Sequence, residues 1–160
     1  MTAQSTAIIA AISETEERLR ALLPRARARP MTRLTEGTWT VRDALCHLAA
    51  RANDVPLVLR LLDPHVDLAS AAAESEAINA GQIASRDGHS LDELADEAVA
   101  GYATARVDIL ELDPVQLSQT IPDVPGMGST SVADLLLLVY RQHAGAHLAS
   151  IEQALTDSRA

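Results

Sequence analysis

Apolar residues recur at spacings of three and four along four long stretches of this chain. They almost never recur at the spacing of two that a half-buried strand needs. That periodicity limits the chain to helices with one buried stripe each. Composition points the same way. There is no Phe, Trp39, Tyr102 and Tyr140 are the only aromatic residues, and alanine and leucine carry most of the 48% apolar content. Both are strong helix formers, and alanine lets helix backbones approach closely. The expected class is all-α.

The 160 residues suit one domain spanning 1–160. Thirteen basic residues stand against 22 acidic ones, a net charge of −9. That balance argues against a nucleic-acid partner, because phosphate neutralisation needs a basic face. All the basic residues are Arg, which removes lysine Schiff-base chemistry. Cys46 is the single cysteine, so neither an internal disulfide nor a Cys-based zinc site is available. The first twenty residues lack a basic start, and no run of about 18 apolar residues exists. The expectation is a cytoplasmic protein with no membrane span.

Along the chain, Ile8, Ile12, Leu19, Leu22 and Leu23 form the first stripe, over about residues 5–23, and Pro24 is expected to stop it. The Arg-rich stretch 24–38 reads as a loop lying over an acidic surface. Thr40 and Asp43 make a capping-box pattern, launching a helix that runs to about Leu62 with a kink or break near Asp54 caused by Pro56. Residues 65–89 read as a partly helical crossover, with a helix over roughly 68–85. Ser90 and Glu93 cap a third long helix that ends at Asp113-Pro114. A loop with three Pro and two Gly comes next. The last helix starts at Thr130 or Ser131 and continues to about Leu155. Four long helices with one long crossover between the second and third read as a four-helix bundle, with no strands.

The residues that carry chemistry are histidines. His143 and His147 lie four apart on the last helix, so both imidazoles share one face. His47 lies seven residues past its cap, about 10 Å along the axis at about 1.5 Å per residue. In antiparallel packing His147 and His143 fall about 12–18 Å from the same end, so the levels agree within about a turn. Three neutral imidazoles would form an open facial site for Zn²⁺ or Ni²⁺. The competing account is three imidazoles satisfied by hydrogen bonds without a metal.

The segments Trp39-Thr40-Val41-Arg42-Asp43-Ala44-Leu45-Cys46-His47-Leu48 and Ser129 to Leu136, followed by His143, His147, Leu148 and Ile151, together resemble the DinB/YfiT superfamily of metalloenzymes. The resemblance spans most of the chain. It implies an up-down-down-up four-helix bundle and a divalent metal, zinc or nickel, on His47, His143 and His147. It also implies a homodimer and, in some members, a low-molecular-weight thiol cosubstrate. Thiol S-transfer to a small-molecule substrate is then the leading expectation. A metal-dependent hydrolase is the close alternative, and a non-catalytic small-ligand or stress-response binding bundle is the third.

Asp54, seven residues after His47, is the candidate general base or imidazole-orienting group. Asp43 is expected to serve mainly as a cap. Asn79 and Tyr140 could line a pocket, Trp39 could wall its mouth, and Cys46 is expected to be a packed core thiol. His65 and His89 read as loop residues.

Overall fold

A computed structural model describes residues 1–35 and 37–157, and it is mainly helical with one small two-stranded sheet. The first helix, α1 (Ala3–Ala28), is capped by Thr2. It buries Ile8, Ala11, Ile12, Thr15, Leu19, Leu22 and Ala26, a run at three-and-four spacing. Pro24 does not stop it. The proline lies one turn from the end, off the buried stripe, while Leu22 and Ala26 stay packed in the core and hold the last turn in register. The helix closes at Arg29, whose N–H donates to the Ala26 carbonyl at 3.0 Å.

The stretch after α1 is tied down rather than loose. Arg33 and Thr40 form an antiparallel bridge, and the Val41 N–H donates to the Thr32 carbonyl. These bonds set Trp39 immediately ahead of α2 (Val41–Ala50). Thr40 and Asp43 cap α2 reciprocally: the Thr40 N–H donates to Asp43 Oδ2 at 2.8 Å. As expected from Pro56, the second helical run breaks at Arg51–Asp54 and restarts as α3 (Val55–Arg60) with the proline in its first turn. At the break the helix that carries Gly101 comes very close. A Cβ placed on Gly101 would stand 2.6 Å from the Ala52 Cβ, so only glycine fits there.

The crossover forms two short helices, α4 (Leu68–Ala73) and α5 (Ser75–Ala84), interrupted at Glu74. Then α6 (Leu91–Glu111) runs from the Ser90–Glu93 capping box and buries Leu94, Ala98, Tyr102, Ala105 and Ile109. A short α7 (Pro114–Ser118) leads into an antiparallel hairpin of β1 (Thr120–Val124) and β2 (Gly128–Ser131). This hairpin corrects the strand-free expectation. Its pairing slips between Ile121 and Val124, where Pro122 has no N–H to donate and Asp123 adopts φ 50°. Gly126 and Gly128 take the positive φ that the turn requires. The slip and the brevity of the strands hide the period-two signal.

The last helical run also differs from the uninterrupted helix expected. It begins as α8 (Val132–Leu137) on a Ser131 cap, widens into a π-helical segment over Leu138–His143, and continues as α9 (Ala144–Asp157). A π turn accommodates an extra residue, so the helix beyond it is rotated by about 100° relative to a continuous α-helix. Thr15 Oγ1 donates to the Tyr140 carbonyl inside this segment at 2.8 Å, a buried tie from α1 to the wide turn. In packing, α1 lies on α6 and on the α8–α9 run, while α2 lies on α6, α5 and α9. Among the described residues no helix is long and apolar enough to cross a membrane.

Candidate metal centre

His47 occupies the seventh position of α2 and is 2% exposed. His143 ends the π segment, and His147 lies one turn into α9; both keep part of their surface open. The structure brings all three together. One ring nitrogen from each lies within 4.8 Å of the others, and the rings meet edge to face with centroids 4.7–5.3 Å apart. His47 Nε2 stands 3.0 Å from His143 Nε2.

Two further groups shape the cluster. His47 Nδ1 lies 2.9 Å from Gln82 Oε1 on α5. An amide oxygen only accepts, so Nδ1 carries the proton and the Nε2 lone pair faces the other two rings. The Trp39 indole stacks on His147 at 5.6 Å and tilts over His47 at 5.1 Å. Trp39 therefore walls the cluster as well as leading into α2.

Burial pushes the His47 and His143 imidazoles down to about 4, and it lowers His147 as well. The Arg51 guanidinium acts in the same direction on all three, and neighbouring imidazoles do so on His47 and His143. Near neutral pH all three rings are uncharged, the form that ligates metal. Two nitrogens bound tetrahedrally to one zinc at 2.0–2.1 Å would stand ~3.4 Å apart. The 3.0 Å pair is slightly inside that figure and the 4.8 Å limit outside it, so a modest rotation of the two partly open rings separates the trio from a ligand set. Three neutral imidazole nitrogens so placed could hold a metal ion.

Asp54 is buried, 3% exposed, and lies at the break after α2. Its Oδ2 accepts from Arg51 Nε at 2.9 Å and pairs with Arg51 Nη2 at 2.8 Å, and its own N–H donates to the Tyr140 hydroxyl at 3.1 Å. Burial lifts its carboxyl to about 6 in spite of the guanidinium. Asp54 is not part of the nitrogen cluster. Tyr140 is a core residue, Cys46 is a buried free thiol, and Asn79 faces a cavity beside α5. Gln82 and Arg51 were not anticipated. The available signal was positional: Arg51 lies four residues after His47 and Gln82 three after Asn79, each pair on one helix face.

The fold and the site define a mainly helical protein with a three-histidine cluster able to hold a metal ion. No protein-family model, curated protein or solved structure matches the chain.

Proposed function

We propose that this chain is a divalent-metal-dependent enzyme of the DinB/YfiT type, with Zn²⁺ or Ni²⁺ on His47, His143 and His147. In this reading α1, α2–α3, α6 and α8–α9 are the four helices of an up-down-down-up bundle, and α4–α5 is its crossover. The reaction is transfer involving a small molecule and a low-molecular-weight thiol, carried out in the cytoplasm. One observation supports it above the others: two sequence-distant helical runs aim imidazole nitrogens at one point, and Gln82 turns the His47 lone pair toward that point. When bound, such an ion lowers the pKa of a thiol or water in its open position and so supplies a nucleophile at neutral pH.

The chain's own groups divide the remaining work. His47 is the fixed ligand, buried and oriented by Gln82, while His143 and His147 complete the set from the more open side. Trp39 covers the rings and keeps bulk water from that flank. Asp54, lifted toward neutrality by burial and held by Arg51, is the proton acceptor available beside α2.

A second reading has an observation of its own. The 3.0 Å Nε2–Nε2 separation is also the length of a hydrogen bond from a His143 N–H to the His47 lone pair, which would suit a metal-free binding protein. Metal analysis of untagged protein purified without chelator separates the two. The enzyme reading expects about one equivalent of zinc or nickel, lost on His143→Ala, followed by thermal stabilisation with one of several thiols. Metal-free protein that gains no stability from added zinc or nickel would leave the binding reading in place. Stabilisation by metal without any thiol response would favour a hydrolase.

A further inference from the structure

A cavity of about 290 Å³ opens between the break after α2, the crossover helices and the hairpin. Its walls are mostly apolar: Leu57 and Leu61 from the α3 region, Ile78 from α5, and Val124 from β1. Asn79 adds one amide, and among the described residues lining it Arg51 is the only charged one. Arg51 also ties the cavity to the histidines. Its N–H donates to the His47 carbonyl at 3.0 Å, so the two side chains leave adjacent turns of the same face. Asp54 engages Arg51 through Nε and Nη2, and both contacts use one carboxylate oxygen. Among the described residues the Nη1 edge has no such partner, and a quarter of the side chain remains exposed. A guanidinium with a free edge pairs well with a carboxylate, and an apolar wall selects an aliphatic body.

We propose that this cavity is the substrate pocket of the histidine site, and that its substrate is a small molecule with one carboxylate and a short aliphatic body. Arg51 holds the carboxylate, and Leu57, Leu61 and Ile78 hold the chain. The volume lies at the lower end for small-molecule sites, which sets an upper limit on the body. Holding the acid head at Arg51 puts it one helical turn from His47. The assignment of a reaction at that end rests on the metal reading; the pocket's binding chemistry does not.

Calorimetric titration of zinc-loaded and metal-free protein with octanoate, 1-octanol and octylamine tests it. Octanoate should bind at least tenfold more tightly than either of the others. The double substitution Arg51→Met with Asp54→Asn removes the guanidinium without stranding a buried carboxylate, and it should bring octanoate down to the level of the alcohol. Ile78→Asp alters an exposed wall position and should weaken octanoate at least tenfold with the fold intact. Octylamine binding as tightly as octanoate, or octanoate binding unchanged in both variants, would overturn the pocket. A zinc titration run in parallel keeps the two readings apart. Octanoate binding that depends on Arg51 in a protein unable to hold zinc would sink the metal and support the pocket. Zinc bound by the histidines with no octanoate binding would sink the pocket alone.

Discussion

The two flanks of the histidine cluster are built very differently. On one side α6 buries seven of its 21 residues against α1 and α2, and α9 holds Leu148 and Ile151 with no exposure. On the other side α5 buries none of its ten residues, and Ile78 stands 46% exposed. Yet α5 supplies Gln82 and a wall of the cavity. The ligands are anchored where apolar burial is deep, and the group that orients His47 comes from a layer held by few buried contacts. Such a layer opens at low free-energy cost, so ligand entry need not disturb the ligand positions.

Paired truncations test this contrast most strongly. Leu148→Ala should lower stability by about 2–5 kcal/mol in denaturant unfolding, whereas Ile78→Ala should stay within about 0.5 kcal/mol. Equal losses would erase the distinction between the flanks. Gly101→Ala pushes a methyl into Ala52 and should cost about 1–3 kcal/mol through overpacking, with the metal site retained. On the thin side, Gln82→Leu should weaken zinc or nickel binding about 10–100-fold while the thermal midpoint of metal-free protein hardly moves. An unaltered metal affinity would mean that α5 does not orient His47.

A further difference lies in the pH dependence of metal-free protein. His47 and His143 titrate near 4 in the folded chain against 6.5 in the unfolded one, so the unfolded chain takes up more protons in that window. Their contribution is complete above pH 6.5 and is lost as pH falls toward 4. Asp54 has the opposite sign. Its carboxyl is raised from 3.8 to about 6, so its contribution is complete below 3.8 and is lost as pH rises through 6. Asp54→Asn should therefore steepen the acid-side loss of thermal midpoint between pH 6.5 and 4, and His47→Gln should shallow it. Identical profiles for these variants and the parent would show that these groups do not control the acid response.

Much of the helical framework was legible because helix starts and stripes are decided by neighbours in the chain. Thr40–Asp43, Ser90–Glu93 and Ser131–Asp134 sit three apart, and each pair caps the helix read from it. Pro56 broke the second run where its missing N–H required. Pro24 misled, because the packing of Leu22 and Ala26 outweighed a local breaker near a helix end. The hairpin was missed for want of length and alternation. The π segment has no local mark in the run from Leu135 to Tyr140; its visible tie is the bond from Thr15, 125 residues away.

For the histidines, the chain alone determined that His143 and His147 share a face and that His47 can reach their level. Both follow from the rise and pitch of a helix. Tertiary structure decided the rest: which nitrogen of His47 is free, what covers the rings, and what cavity opens beside them. Those depend on Gln82 and Trp39 meeting side chains 35 and 108 positions distant. Contacts of that span arise from how helices dock against one another, which hydrophobic periodicity orients but does not place.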